Sequence, residues 1–314
     1  MNNNFYKIYG LKVKSTIPLH DSLIINESSK NYDVEISIGE TSSNIKTNKI
    51  GNFELADRYA FFSIDKVGKY EITNGNKITI EPNSNATLSE IKKFTLGSAL
   101  GLILFQKNII AIHGGAIVIN NNAVIISGNI GAGKTTTIAK LLKKGYGFLS
   151  DDISSIIKDK NGNYNVHNCI PQQKLCENTA KLLGYNPSKL YKIDELKNKY
   201  LSPNIKNFIT TPKKLKSLFY LDISSSNEIS YKEILGTSKF QLILNNIFRR
   251  EYIPNNLIKP EYIKECLNLA NNISIYKINR PKNKDSINEI ISIIENLNSS
   301  KYWKLVTLPI MKIH

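Results

Sequence analysis

The segment Gly128-Asn-Ile-Gly-Ala-Gly-Lys-Thr135 constrains this chain more than any other. It fits the pattern G-x-x-x-x-G-K-[ST], and Thr136 follows directly. An apolar strand, Val124–Ile126, precedes it, and a helical pattern over Lys134–Lys144 follows. A strand that feeds a glycine-rich turn, which then opens a helix, needs sheet and helix packed in layers. The chain is therefore expected to be α/β.

The residue types in this turn state its chemistry. Glycines let successive backbone N–H groups point inward and leave no side chain in the way of an anion. The helix starting at Lys134 adds its positive end. Lys134 supplies a mobile charge for terminal phosphates, and the Thr135 hydroxyl is a hard oxygen donor for Mg2+. Gly128, Asn129, Ile130, Gly131, Ala132, Gly133, Lys134, Thr135 and Thr136 are together expected to cradle a nucleoside triphosphate.

Two carboxylates, Asp151 and Asp152, follow the apolar strand Tyr146–Ser150, 17 residues after Lys134. Beside such a loop, a carboxylate pair can hold a metal ion and take a proton from an attacking hydroxyl. The bland alternative is a solvated turn. The short spacing argues against a motor or GTPase layout. His113, in Ile112-His-Gly-Gly115, ends a strand one hairpin upstream. It can hydrogen-bond a phosphate or an aspartate, or serve structure alone.

Around this centre the chain divides. Residues 1–83 read as a β-rich module, with alternation over Tyr32–Ile38 and a meander over Tyr59–Asp65, Lys69–Thr73 and Lys77–Glu81. Its turns fall at Lys66–Gly68 and Asn74–Gly75. Residues 84–108 read as one bridging helix, with Thr87 and Glu90 at capping-box spacing. Residues 109–300 carry the loop. A short strand Ile109–His113 comes first, then a hairpin of Ala116–Ile119 and Ala123–Ser127 that feeds the loop. Farther on, Gln173–Gly184 reads as a helix, 185–212 as loop-rich, and Ser238–Arg250 as a helix. Strands over Lys216–Ile223 and Ile273–Ile278 and helices over Glu261–Asn271 and Lys284–Leu297 complete it. The tail 301–314 reads as ambiguous.

Composition narrows the partners. The net charge is +16, but the lysines are spread out and only four of 42 basic residues are arginine (Arg58, Arg249, Arg250, Arg280). That pattern reads as compositional bias rather than a nucleic-acid interface. Three cysteines, Cys169, Cys176 and Cys266, form no C-x-x-C and suit a reducing compartment. His167, Cys169 and Cys176 match no common zinc spacing. The start MNNNFYKIYG lacks a leader pattern, and the apolar run Leu96–Phe105 is too short to span a bilayer. A cytoplasmic protein without a membrane partner is expected.

His-Gly at 113–114, a hairpin, the loop Gly128–Thr135 and Leu-Ser-Asp-Asp at 149–152 occur in that order. This order resembles the HPr serine kinase superfamily, whose variant P-loop fold is shared with phosphoenolpyruvate carboxykinase. Phe94–Gly101, Ile170–Leu175, Leu183-Gly184 and Ile278-Asn-Arg-Pro281 look similar to the HPr-kinase-related proteins of peptide natural-product clusters, including the kinases of lasso-peptide precursors. Tyr9-Gly-Leu11 and the Tyr32–Ile38 strand look similar to their β module. The long Gly- and Val-rich signature of bifunctional HPr kinase/phosphorylases is absent; the corresponding region is Asn- and Lys-rich. HPr as acceptor, the phosphorylase reaction and a hexamer are therefore not carried over.

The resemblance implies an N-terminal β-rich module plus an HPr-kinase-like P-loop kinase domain with a mixed sheet flanked by helices. It implies ATP and Mg2+, with Lys134 and Thr135 on phosphate and metal. One of Asp151 and Asp152 would be the base and the other a metal-side ligand, with His113 beside them. Glu177 would be a further carboxylate for the metal. Arg249 or Arg250 would grip the transferring phosphate or an acidic peptide, or else pair with a helix end. The acceptor would be a Ser or Thr hydroxyl of a peptide or small protein. A free small-molecule acceptor, a non-catalytic ATP-binding regulator and a nucleic-acid 5′-kinase are the alternatives. Self-association is left open.

Overall fold

Period-two alternation of apolar residues builds the first sheet. Its strands are β1 (Asn4–Ile8), β2 (Leu11–Ser15), β3 (Val34–Ile38), β4 (Asn48–Ile50), β5 (Phe53–Ala56), β6 (Tyr59–Ile64), β7 (Gly68–Thr73) and β8 (Lys77–Pro82). They lie in the order β1-β2-β3-β8-β7-β6-β5-β4. The structure, a computed structural model, describes residues 3–25, 31–42, 48–50, 53–194, 198–203 and 205–299. The tail 301–314 lies outside the described residues. The β7–β8 turn places Asn74 and Gly75 at φ 55° and 66°, as a tight hairpin with right-handed strand twist requires. On the buried face, Phe62 stacks on Tyr70 at 4.7 Å and on Phe53 at 5.1 Å.

The bridging element is one unbroken helical run, Leu88–Gln106, with a π segment inside it. α1 (Leu88–Phe94) and α2 (Leu100–Gln106) are joined by a π-helical turn, Thr95–Ala99. Thr87 and Glu90 form the expected capping box. α2 is buried over Leu100–Leu104, so its nearly all-apolar sequence has a core to enter.

The remaining elements are β9 (Ile110–Ile119), β10 (Asn122–Gly128), α3 (Lys134–Lys143), β11 (Gly147–Ser150), β12 (Ile153–Lys158) and β13 (Tyr164–His167). Then come β14 (Lys174–Cys176), α4 (Glu177–Leu182), β15 (Tyr191–Asp194), β16 (Lys199–Leu201), β17 (Lys213–Ser224) and β18 (Ser230–Glu233). The chain continues with α5 (Thr237–Asn245), α6 (Pro260–Asn272), β19 (Ser274–Pro281) and α7 (Ile287–Asn298). The second sheet runs β10-β9-β12-β13-β17-β19-β18, with β11 on β9 and β10 parallel to β17. The pairings among β10, β9, β12, β13 and β17 thus close on themselves. β14, β16 and β15 form a third, three-stranded sheet. The fold is mixed α/β with several sheets.

Four expectations change here. The short strand and the hairpin's first arm are one strand, β9, which runs through Gly114-Gly115 without a break. A Cβ on Gly115 would lie 2.4 Å from the Asp151 carbonyl oxygen, so glycine allows close approach rather than ending the strand. Residues 174–176 are strand, because they pair with β16; the helix begins only at Glu177. Residues 185–212 contain β15 and β16. The helix expected to reach Arg250 ends at Asn245, and Arg249 takes a left-handed φ of 60°.

One apolar core joins the two large sheets. It runs from Tyr6 and Phe62 through Leu100 and Ile112 to Ile247 and Tyr262. Phe53 of β5 stacks on Tyr252 at 4.1 Å. The β1–β2 turn also reaches across: Tyr9 N–H donates to Asn168 O at 2.8 Å, and Ser155 Oγ donates to Tyr9 O at 3.1 Å. A second core on the opposite face packs Ile126, Ile138, Phe219, Ile278, Ile290 and Ile294 under the loop and α3. No helix among the described residues is long and apolar enough to cross a membrane.

Burial separates the three cysteines. Cys169 and Cys266 are buried and their thiols are pushed up to about 12 by loss of solvent, whereas Cys176 is exposed. A disulfide-exchange reagent at pH 8 is expected to titrate one thiol quickly in the native protein and all three after denaturation.

Candidate active site

The loop between β10 and α3 is shaped by backbone that only glycine tolerates well. Gly128 sits at φ 136°, and a Cβ there would lie 2.1 Å from the Leu221 carbonyl oxygen. Gly131 and Gly133 sit at φ 80° and 98°. Lys134, at the start of α3, folds back over the loop. Its Nζ donates to Gly128 O at 2.6 Å and Asn129 O at 3.0 Å. Burial lowers the Lys134 pKa, against the opposing charge of Asp152. A desolvated ammonium resting on two neutral carbonyls is poised to prefer an anion.

Side chains behind the loop hold it. Arg280 of β19 donates Nε to Ala132 O at 3.1 Å and Nη2 to Gly131 O at 2.8 Å. Asn129 Nδ2 donates to Asp222 Oδ1 at 2.7 Å, and Tyr220 OH donates to Asn129 Oδ1 at 2.8 Å. Lys277 Nζ lies 2.8 Å from Asp222 Oδ2. Asp222 lies near the end of β17, the strand parallel to β10, but these bonds occupy it in holding the loop. Gln173 Nε2 donates to Thr135 O at 3.0 Å.

Asp151 and Asp152 fall in the turn from β11 to β12. Lys174, on β14, organises both. Its Nζ lies 2.6 Å from Asp152 Oδ2, and its backbone N–H donates to Asp151 Oδ2 at 3.0 Å. The carboxylates are half-open to water in the cleft, yet protein surrounds them on the other sides. Burial and the neighbouring Asp152 charge push Asp151 up. Burial would also raise Asp152, but the Lys174 ammonium outweighs it and holds Asp152 low and ionised. The pair therefore has one anionic member and one with retained proton affinity.

His113 faces the same place from β9. Its backbone pairs with Ile153, and Gly114 N–H donates to Asp152 O at 3.1 Å. Its ring stacks on Phe248 at 5.8 Å. Burial lowers its pKa, with Asp152 opposing, so the ring is mostly neutral at pH 7.

These groups line one cleft of about 1640 Å³. The loop, the acid pair, Leu19–Ser22, residues of α1 and the π turn, and Asn245–Arg249 all line it. No family model matches the chain, and no curated protein matches it. Among solved structures, it is similar to the HPr(Ser) kinase/phosphatase from Coxiella burnetii, with 12% identity and a TM-score of 0.33. That match covers 62% of this chain and 98% of the other.

The expected site residues do not all meet. His113, the loop Asn129–Thr136 apart from Ala132, Asp151, Asp152 and Arg249 line the cleft. Glu177 does not; it pairs with Lys181 at 2.6 Å on the outer face of α4, one turn along the helix. Arg250 also turns away, donating to Ile253 O and Asn255 Oδ1. α5 stops at Asn245, so neither arginine lies in its last turn; Arg250 instead caps the short 3-10 turn Arg250–Tyr252 through the Ile253 carbonyl. Among the described residues no cluster of three or more His, Cys, Asp or Glu is placed to hold a metal ion. The site thus offers Thr135 and the aspartate pair alone, which suits a Mg2+ ion that keeps waters and shares phosphate oxygens.

Lys174 and Arg280 were not singled out from sequence. Lys174 lies in a segment that reads as helix, and Arg280 stands out only as one of four arginines. A usable signal existed for Arg280: in a chain this rich in lysine, an arginine marks a place where the planar fork matters. Arg280→Ala is expected to weaken ATP binding about tenfold, and Arg280→Lys to recover only part of that, by equilibrium titration with a fluorescent ATP analogue.

Proposed function

We propose that this protein is a phosphotransferase that moves the γ-phosphoryl group of ATP to a hydroxyl of a peptide or small protein. One observation supports this reading above the others. A glycine-cradled loop with a desolvated lysine and a lysine-anchored aspartate pair open into the same cleft.

The roles follow from the contacts. Loop N–H groups and Lys134 hold the β- and γ-phosphates and offset the charge that builds on the equatorial oxygens. Thr135 and the ionised Asp152 would hold Mg2+, which would offset phosphate charge. Asp151 takes the proton of the acceptor hydroxyl as its oxygen bonds to the γ-phosphorus; the bond to the β,γ-bridging oxygen breaks and ADP leaves. Lys174 fixes the division of labour, because only Asp152 receives its ammonium. His113, neutral, would hydrogen-bond the transferring group or Asp152.

The cleft of about 1640 Å³ exceeds the roughly 300–1,000 Å³ of an ordinary small-ligand site. That excess favours a polypeptide segment as the acceptor. The division into a β module (1–83), a bridging helix (84–108) and a kinase domain (109–300) belongs to the same reading, with the β module lending Leu19–Ser22 to the acceptor side. The intact set of Lys134, Asp151 and Asp152 speaks against a purely binding role. The test is ADP release measured with and without a library of Ser- and Thr-containing peptides and free hydroxyl compounds. Acceptor-dependent ADP is the expected result; no ATP binding would end the proposal.

A further inference from the structure

Arg249 is placed at two local costs. Its backbone is left-handed, at φ 60°, which residues with long side chains adopt rarely. Its Nε–H is buried with no hydrogen-bond partner among the described residues, an arrangement folded proteins seldom keep without a reason. What the placement secures is the aim of the guanidinium. The rings of Phe53, Phe248 and Tyr252 surround it, with centres 5.7, 5.4 and 5.5 Å from its central carbon. Nη2 donates to Ser98 Oγ in the π turn at 3.0 Å.

The other edge has no hydrogen-bond partner among the described residues. Nη1 lies 3.7 Å from Glu251 Oε1, too far for a hydrogen bond. The side chain keeps 31% of its exposure and lines the cleft. A caged stem with an open Nη edge is a fork held ready for a planar anion. Its contacts also locate it. Phe53 belongs to the first sheet and Ser98 to the bridging element, so Arg249 is held by those elements and not by the loop Gly128–Thr135. Phe248, beside it, stacks on His113. The phosphates already have Lys134 and the loop N–H groups.

We propose that Arg249 anchors the acceptor: its open Nη edge binds a carboxylate carried close to the hydroxyl that is phosphorylated, in place of Glu251. This rests on the kinase reading, and it narrows the acceptor to an acidic one. The carboxylate has two sources, an acidic side chain of a peptide or the acid group of a small hydroxy acid. The net charge of +16 steers either toward the cleft.

The test is binding, which needs no turnover. Fluorescent peptides with one serine flanked by glutamates, or by glutamines, are titrated by anisotropy at fixed ionic strength, with free L-serine as competitor. The protein is expected to favour the glutamate peptide about tenfold. In Arg249→Gln that ratio falls to near one. In Glu251→Gln, a change at a side chain 63% exposed and so harmless to folding, the glutamate peptide binds about threefold tighter. Competition by free L-serine at similar concentrations assigns the carboxylate to a small acceptor; competition by peptide alone assigns it to a polypeptide. An unchanged ratio in Arg249→Gln, or weaker binding in Glu251→Gln, overturns the anchor. Glutamate preference without phosphate transfer removes the kinase reading and leaves the anchor standing.

Discussion

Asp151→Asn is expected to lower kcat about a thousandfold while leaving ATP affinity and the melting temperature close to those of the unaltered protein. The amide oxygen can still accept the Lys174 N–H bond, so the turn keeps its support. What is lost is the site that takes the hydroxyl proton. Asp152→Asn has a different signature. It strips the Lys174 ammonium of its partner at 2.6 Å, so both activity and stability fall. Steady-state kinetics and thermal melts of the two variants side by side separate base from charge partner. Full activity in Asp151→Asn would remove the base assignment.

Gly128→Ala is expected to abolish nucleotide binding, with at least about a hundredfold loss of affinity, and to destabilise the fold by about 3 kcal/mol. The methyl group would sit 2.1 Å from Leu221 O at a backbone φ of 136°. Neither atom can yield cheaply. Leu221 belongs to β17, which pairs with β10 on one side and β19 on the other. The loop would have to leave the sheet, and its N–H groups would lose their common aim. Isothermal titration with Mg·ATP and urea denaturation measure the two losses.

The strand–glycine turn–helix over residues 122–143 was legible in the sequence because its cause is local: three glycines, a lysine and a flanking strand and helix. The Asn74–Gly75 hairpin and the Thr87–Glu90 capping box were legible for the same reason. Elements set by distant partners were not. β14 is three residues long and exists through its pairing with Lys199–Leu201. Helix α5 stops at Asn245, and Arg249 turns left-handed beyond it, beside aromatic rings brought in from β5 and from residues 248 and 252. Lys174 reaches the aspartates across 22 residues of sequence, and Arg280 reaches Gly131 across 149. No spacing rule spans such distances. Glu177 erred in the other direction: a carboxylate near the site in sequence found a lysine one helical turn away.

The most direct measurement is intact-mass spectrometry of serine- and threonine-containing peptides, and of free hydroxyl compounds, after incubation with the protein and Mg·ATP. The expected result is a gain of one phosphate on an acceptor, with stoichiometric ADP, and no gain with Lys134→Ala. Tight ATP binding with no phosphate on any hydroxyl in the panel would contradict the account.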